Sequence, residues 1–213
     1  AVLVCGLGRF GAATAHTLAT LGHDVLAVDR DHKRVATWTE RLPQVAEADS
    51  TSPEEMAQLG AGNYDIGVVA IGTSVESSVL TVATLVDLGV GQLWAKALSR
   101  AHGRILERIG VQHVIYPESD AGTRVAHLVT GRLIDYIEVD DGFALVKMRP
   151  PQETHGFTLV QAKVRAKSGV TVVGVKSPGQ DFTYATPETR ISAHDVLIVS
   201  GKSDLLEKFA ARP

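Results

Sequence analysis

The stretch "VLVCGLGRFGAATAHTLATLGHDVLAVDR", residues 2–30, decides the fold. An apolar run leads into Gly6-Leu7-Gly8-Arg9-Phe10-Gly11, an amphipathic segment follows, and a second apolar run ends at Asp29. This order predicts a strand, a tight turn, a helix and a second, parallel strand. In such a turn the first glycine permits the bend, the second lets a pyrophosphate approach the backbone, and the third lets the helix pack closely on the sheet.

A carboxylate stands where a nucleotide sugar is expected. Asp29 follows Gly11 by 18 residues and ends the predicted second strand, where a carboxylate accepts hydrogen bonds from ribose hydroxyls. The free N–H groups and the positive end of the first helix would face the phosphates. The combination predicts nucleotide binding. Asp29 would repel a 2′-phosphate, although the adjacent Arg30 leaves NADP as an alternative.

The first 135 residues alternate strand-like and helix-like segments, which is typical of repeated βα units. We predict strands at residues 2–5, 24–28, 44–47, 66–71, 92–95 and 113–115. We predict helices at residues 9–21, 32–41, 53–59, 74–88, 99–109 and 118–131. The fold class is therefore α/β, a Rossmann-like doubly wound parallel sheet, in a domain that covers residues 1–135.

The pattern changes after about residue 133. Two strand-like runs flank Asp140-Asp141-Gly142, which is a hairpin signal. A helix at residues 158–165, strands at 170–176, 181–184 and 196–200, and a closing helix at 203–211 are predicted to follow. These elements indicate a small α+β C-terminal domain at residues 136–213.

Composition excludes several classes of protein. The chain has 213 residues with 21 basic and 24 acidic side chains, and no segment concentrates Lys or Arg, so we expect no nucleic-acid partner. Its apolar runs are strand-sized, so a membrane role would come through a partner. The single cysteine, Cys5, is expected to be a buried, inert thiol in a reducing cytosol. The chain opens on Ala1 without an initiator Met, so we expect it to begin inside a longer chain.

Three more segments end strands at the predicted carboxyl edge of the sheet, where ligands of open α/β sheets bind. Asp49 and Ser50 follow the third strand and could meet an adenine edge or merely start a turn. Ile71-Gly72 follows the fourth strand, where the glycine allows either close ligand approach or a plain strand-to-helix turn. Lys96 ends the fifth strand, and its ammonium reaches the pocket or is solvated.

Catalytic machinery is not evident in the sequence. The eight histidines are scattered, and no His-Glu-x-x-His, Gly-x-Ser-x-Gly or Gly-x-x-x-x-Gly-Lys-Ser/Thr motif occurs. His113, inside a strand, is interpreted as structural. We therefore predict a binding or regulatory module and no enzyme. The alternative is an NAD-dependent oxidoreductase that uses the same glycine turn and Asp29.

Motifs in both halves of the chain occur together in one known family. They are Gly6-Leu7-Gly8-Arg9-Phe10-Gly11, Val25-Leu26-Ala27-Val28-Asp29, Val69-Ala70-Ile71-Gly72, Leu93-Trp94-Ala95-Lys96-Ala97, Leu106-Glu107-Arg108-Ile109-Gly110, Ile115-Tyr116-Pro117-Glu118, Val164-Arg165-Ala166-Lys167-Ser168-Gly169-Val170 and Asp195-Val196-Leu197-Ile198-Val199-Ser200-Gly201. With these motifs the chain resembles the RCK (regulator of potassium conductance) subunits of bacterial Ktr and Trk potassium uptake, which have a TrkA-N and a TrkA-C domain.

The resemblance implies a regulatory role. It implies homodimers assembled into an octameric ring in the cytoplasm, docked at the inner face of the membrane on a potassium channel or transporter. It implies ATP and ADP, or NAD(H), as competing ligands, with Arg9 contacting the polyphosphate and Lys96 in the pocket. The expected nucleotide site comprises Gly6, Gly8, Arg9, Phe10, Gly11, Asp29, Arg30, Asp49, Ser50, Ile71, Gly72, Lys96 and Glu118.

Further ligands follow from the same resemblance. Glu118 matches an acidic residue that helps to hold magnesium, calcium or sodium between subunits, although it could simply begin a helix. Residues 118–131 match a helix that pairs subunits, although their apolar stripe would also suit a monomer core. Arg165 matches an arginine that binds cyclic di-AMP in some relatives. Ser177-Pro178 departs from those relatives, which puts this ligand in doubt.

Overall fold

The computed structural model describes residues 1–212 and forms two compact units, of which the first is Ala1–Pro117. In this unit six strands alternate with five helices. The strands are β1 Val2–Cys5, β2 Val25–Asp29, β3 Gln44–Glu47, β4 Ile66–Val69, β5 Gln92–Lys96 and β6 His113–Ile115. The helices are α1 Arg9–Thr20, α2 His32–Trp38, α3 Pro53–Gln58, α4 Val75–Asp87 and α5 Arg100–Arg108.

The six strands form one parallel sheet in the order β3-β2-β1-β4-β5-β6. This is the strand order of the Rossmann fold, so the predicted fold class is confirmed. Every residue of β1 and β2 is buried, which explains their continuous apolar sequences. The chain reverses direction across the sheet between β1 and β4, and the carboxyl ends of these strands open a crevice there.

Cys5 lies in the buried core between β1 and the helices that cover it. Burial raises the pKa of its thiol to about 12, because a thiolate would lose its hydration there. The expectation of a buried thiol is confirmed.

The second unit begins at Glu118 and is built on an antiparallel sheet in the order β10-β9-β11-β8-β7. The predicted hairpin forms between β7 and β8, with Gly142 at a φ of +71° in the turn. The strands are β7 Leu133–Asp140, β8 Phe143–Met148, β9 Thr171–Lys176, β10 Thr183–Tyr184 and β11 Val196–Lys202. The helices are α6 Pro117–Leu128, α7 Leu159–Ala162, α8 Val164–Ser168 and α9 Ser203–Ala210.

The single helix predicted at residues 158–165 is instead two short helices. The break is at Lys163, which has a φ of +50°. Ala162 and Val164, on either side of it, are both buried. Two residues that are two positions apart on a continuous helix point about 200° away from each other, so the break is what allows both to face the core.

Helix α6 packs with the second unit. The ring of His127 lies 3.8 Å from that of Tyr136 in β7, and its Nδ1 is 2.9 Å from Oε1 of Glu207 in α9. The sequence analysis expected a domain boundary at residue 135, with this helix in the first domain, whereas the second compact unit begins at Glu118 and includes it. Within the described chain no residue of α6 is buried, and Val125 and Val129 are 60% and 77% exposed. Leu128 of the apolar stripe packs against the core of the second unit, whereas Val125 and Val129 leave apolar surface exposed.

We expect Gly11→Ala to destabilise the first unit by about 3 kcal/mol or more, the upper range for overpacking. A Cβ at residue 11 would lie 1.9 Å from the Gly6 carbonyl oxygen and 2.7 Å from the Ala70 Cβ. Urea unfolding followed by tryptophan fluorescence measures this, because both tryptophans, Trp38 and Trp94, lie in the first unit.

The matched control is Gly8→Ala in the same turn, since a Cβ there would meet no atom within 4 Å. Equal unfolding midpoints for the two variants would contradict the packing role of Gly11.

Candidate nucleotide-binding site

The three glycines of the first turn have different reasons to be glycine. Gly6 has a φ of +103°, which side chains rarely adopt, and Gly11 has no room for a Cβ. Gly8 has an extended conformation with a φ of −67° and open space around it. The fold therefore requires glycine at the first and third positions. At the second position neither the backbone conformation nor the packing requires glycine, and in Rossmann folds a glycine here lets a pyrophosphate approach the backbone.

Helix α1 presents its amino end beside this open position. Gly8 is the N-cap and supplies no side-chain hydrogen bond, and the first turn contains no acidic residue. The first N–H groups of an α-helix have no carbonyl partner within the helix, and they carry the positive end of its dipole. Arg9 is exposed in this turn and Phe10 is half-buried. The arrangement suits an anionic group such as a diphosphate.

Asp29 connects the glycine turn to the end of β2. Its side chain is 5% exposed, and its Oδ2 accepts a hydrogen bond of 2.6 Å from the Leu7 backbone N–H. Its Oδ1 accepts one of 2.9 Å from the Asp31 backbone N–H. The carboxylate is therefore positioned next to the turn that would hold phosphates, as the sequence predicts for a ribose ligand.

A contact that the sequence analysis missed occurs at the same carboxylate. Nη1 of Arg34, in α2, lies 3.3 Å from Oδ2 of Asp29, while Nε lies 3.6 Å from Oδ2 of Asp31. The Arg34 side chain is 45% exposed. The only signal of this contact in the sequence is the position of Arg34, one helical turn after the N-cap Asp31. The same spacing is found in ordinary surface ion pairs, so it does not indicate a contact with Asp29.

Asp49 and Ser50 lie after β3, and the structure favours a turn at this point. Oδ1 of Asp49 accepts hydrogen bonds from the backbone N–H and the hydroxyl of Thr51. These bonds, together with the charge of Arg30, hold the pKa of Asp49 below its ordinary value. The Ser50 hydroxyl is 2.9 Å from that of Thr81 in α4. A role toward adenine therefore stays a prediction, as does a ligand contact of Arg30.

Gly72 and Lys96 are brought together at the carboxyl edge of the sheet. Lys96 is only 8% exposed at the end of β5, so the solvated alternative is wrong. A Cβ on Gly72 would lie 3.0 Å from its Nζ. Ile71, the residue before, packs against the core. A buried ammonium thus lies beside the loop that follows β4, one strand away from the glycine turn.

In the sequence, Glu118 follows these residues and is the first residue of the second unit. It is exposed and occupies the first turn of α6, where a negative charge favours the helix dipole. Among residues 1–212, no cluster of three His, Cys, Asp or Glu side chains could hold a metal ion. An ion-binding role of Glu118 stays a prediction.

Two histidines of the first unit have structural surroundings. His113 stacks on Trp94 with ring centroids 4.0 Å apart, and its Nε2 is 2.8 Å from Nε2 of Gln92. His102 is buried in α5, where its Nδ1 accepts a hydrogen bond from the Leu98 N–H, and burial lowers its pKa. Neither arrangement pairs the imidazole with a carboxylate, as a positioned general base usually requires.

The site therefore belongs to the nucleotide-binding class of Rossmann folds, and comparison with known proteins gives the family. A TrkA-N domain model matches residues 2–117 and a TrkA-C domain model matches residues 144–212. Ktr system potassium uptake protein A of Bacillus subtilis (strain 168) is 31% identical over 207 residues, which cover 97% of this chain and 93% of that protein. The chain belongs to the RCK family of Ktr and Trk potassium uptake proteins.

Solved structures agree with the fold. The crystal structure of the GsuK RCK domain superposes with a TM-score of 0.67 at 17% identity, over 99% of this chain and 47% of that one. A structure of the GsuK channel bound to NAD gives a TM-score of 0.66 at 16% identity, over 99% of this chain and 39% of that one. The chain thus spans less than half of either GsuK chain.

Family membership decides between the two functional classes. The relatives act in potassium uptake, so the prediction that this chain is not an enzyme is confirmed, and the oxidoreductase alternative is not retained. Among residues 1–212, no helix combines the length and apolar character that a membrane span requires.

We expect Asp29→Ala to destabilise the first unit by about 2 kcal/mol even without ligand, because a buried N–H that loses its acceptor pays its desolvation cost. The affected donor is the Leu7 amide, which is buried with the carboxylate. Urea unfolding monitored by tryptophan fluorescence gives the value. Asp24→Ala, an exposed carboxylate one residue before β2, is the control and should leave the midpoint unchanged. Similar midpoints for the two variants would contradict this role of Asp29.

Proposed function

We propose that this chain is a regulatory subunit that binds an adenine nucleotide in the crevice beside β1 and gates a membrane potassium channel or transporter. The observation that carries the proposal is the open, uncapped amino end of α1 above Gly8, with the buried Asp29 carboxylate on the neighbouring strand. Membership in the potassium uptake family supports the regulatory part. The residues present suit a nucleotide of this class.

Each part of a nucleotide has a matching group. The turn at Gly6 and Gly8 and the first amides of α1 would hold the diphosphate, and Asp29 would accept hydrogen bonds from the ribose. The Lys96 ammonium would add positive charge at the crevice. Asp49 and Ser50 would lie toward the adenine. A GsuK structure bound to NAD supports NAD(H) as a competitor of ATP and ADP.

The nucleotide acts as a signal only if the protein distinguishes its forms. A ligand shifts a conformational equilibrium only by its unequal affinity for the two states. We expect the third phosphate of ATP to be the source of that difference, and Arg9, which is exposed in the first turn of α1, would contact it. A change in the shape of the assembly would then pull on the membrane partner.

Assembly is supported by the exposed apolar side chains of α6. Val125 and Val129 leave apolar surface uncovered in the single chain, as a subunit-pairing helix would. We propose that homodimers formed there assemble into an octameric ring in the cytoplasm, at the inner face of the membrane. Glu118, in the first turn of the same helix, would help to hold magnesium, calcium or sodium between nucleotides of two subunits.

A second ligand is proposed for the C-terminal unit. Arg165 is exposed in α8, where a phosphate of cyclic di-AMP could reach it. The Ser177 hydroxyl, however, donates a hydrogen bond to the buried Asp195 within the same chain. Arg165 is therefore the residue on which this ligand depends.

We expect Gly8→Ala to weaken ATP binding by at least about tenfold without destabilising the fold, because its methyl group would occupy the space that the diphosphate needs. Isothermal titration calorimetry measures the affinity, and urea unfolding checks the fold. Gly122→Ala, an exposed position in α6 with open space, should bind ATP like the unmodified chain. Equal affinity of the Gly8→Ala variant and the unmodified chain would overturn the proposed phosphate site.

We expect Arg9→Ala to reduce the ratio of ATP to ADP affinity by about fivefold or more, since a charged hydrogen bond to the third phosphate is lost, with no loss of unfolding stability. Competition titrations of both nucleotides give the ratio. Lys33→Ala removes an exposed cation from a different helix and serves as the control. An unchanged ratio in the Arg9→Ala variant would remove Arg9 from the switch.

A further inference from the structure

The hydrogen-bonding capacity of Asp29 is nearly used up within the chain. A carboxylate has about four lone-pair positions that accept hydrogen bonds. Oδ2 already accepts from the Leu7 N–H at 2.6 Å and contacts Nη1 of Arg34 at 3.3 Å, and Oδ1 accepts from the Asp31 N–H at 2.9 Å. One position, on Oδ1, is left. A ribose that donates both of its hydroxyls to this carboxylate needs two.

The three present donors differ in how easily they can leave. Leu7 is buried, and its amide is held in the glycine turn by the chain on both sides. The Asp31 amide belongs to the N-cap of α2. Arg34 makes the longest of the three contacts, and its side chain is half exposed on a flexible stem. Arg34 is therefore the donor that a ribose can displace.

The displaced guanidinium has an alternative partner. Its Nε is already 3.6 Å from Oδ2 of Asp31, one turn before it on the same helix. When Arg34 turns away from Asp29 it keeps this exposed ion pair with Asp31. Replacement of the guanidinium by a ribose hydroxyl therefore requires little change in the structure of α2. The buried carboxylate in turn has at least three donors both before and after this replacement, because a ribose hydroxyl takes the place of the guanidinium.

We propose that Arg34 is a specificity-determining residue that competes with a ribose hydroxyl for Oδ2 of Asp29. The inference rests on the proposed nucleotide site and deepens it. The competition lowers the binding free energy that this hydroxyl contributes, because a ribose binds only after the guanidinium has left Oδ2 of Asp29. The unmodified chain should therefore discriminate weakly against a nucleotide that lacks the hydroxyl, and removal of Arg34 should sharpen the discrimination.

The test compares ATP with 2′-deoxyATP and 3′-deoxyATP in calorimetric titrations of the full chain. The measured quantity is the hydroxyl penalty, the Kd of each deoxy analogue divided by the Kd of ATP. The three ligands carry the same charge, so loss of a cation near the phosphates cancels in this ratio. In Arg34→Gln we expect the hydroxyl penalty of at least one deoxy analogue to rise about fivefold. This is the contribution of one hydrogen bond to binding once the guanidinium no longer competes for the same oxygen.

Lys33→Gln is the matched control, since it removes the same charge from the neighbouring exposed position of α2. Its two penalties should equal those of the unmodified chain. Unchanged penalties in Arg34→Gln would overturn the inference and leave the nucleotide site intact, as expected if Arg34 only supports α2. If the unmodified chain binds NADP more tightly than NAD, and Arg34→Gln loses this preference, Arg34 binds a 2′-phosphate. That result would also overturn the inference. Failure of the unmodified chain to bind ATP at all would overturn the proposed function first.

Discussion

The geometry of the nucleotide site depends on one hydrogen bond, from the Leu7 backbone N–H to the Asp29 carboxylate. It joins two adjacent parallel strands at the point where both leave the sheet. The bond is short and buried, so its loss would leave the buried Leu7 N–H without an acceptor and would remove one of the three donors to the carboxylate. It fixes the amino end of α1 at a set distance from the carboxylate, and in the proposed site the phosphate and the ribose of a nucleotide would have to match that distance.

This constraint separates positions that serve the fold from positions that serve the ligand. Gly6 and Gly11 are determined by backbone conformation and packing, whatever the protein binds. Gly8 and Arg9 face open space at the start of the helix, and the fold does not require them to be what they are. The proposed site thus combines a rigid support with an open face, and a nucleotide would bind there without rebuilding the turn.

Much of the first unit could be predicted from the sequence, and particular residues show why. The strands β1 and β2 are buried on both faces and read as continuous apolar runs, and glycine spacing locates the turn between β1 and α1. The contact of Arg34 with Asp29 could not be foreseen, because it depends on a side-chain rotamer that reaches from one element to another. The break at Lys163 was hidden because both flanking helices have ordinary helical sequences.

Helix α6 shows a different limit of sequence reasoning. An apolar stripe on a helix indicates that this face is buried, but it does not show whether the same chain or a second subunit packs against it. The contacts of His127 with Tyr136 and Glu207 attach the helix to the second unit, while Val125 and Val129 stay exposed. The side chains that pair subunits in the proposed assembly are therefore those that a single chain leaves without cover.

The amide resonances of the ¹⁵N-labelled chain during titration with ADP test the central claim most directly. Backbone N–H groups at the amino end of α1 should contact the diphosphate, so the account expects the largest shifts at Gly8, Arg9 and Phe10, with saturation at one nucleotide per chain. Saturable shifts confined to other parts of the chain, or no shifts at millimolar ADP, would contradict it.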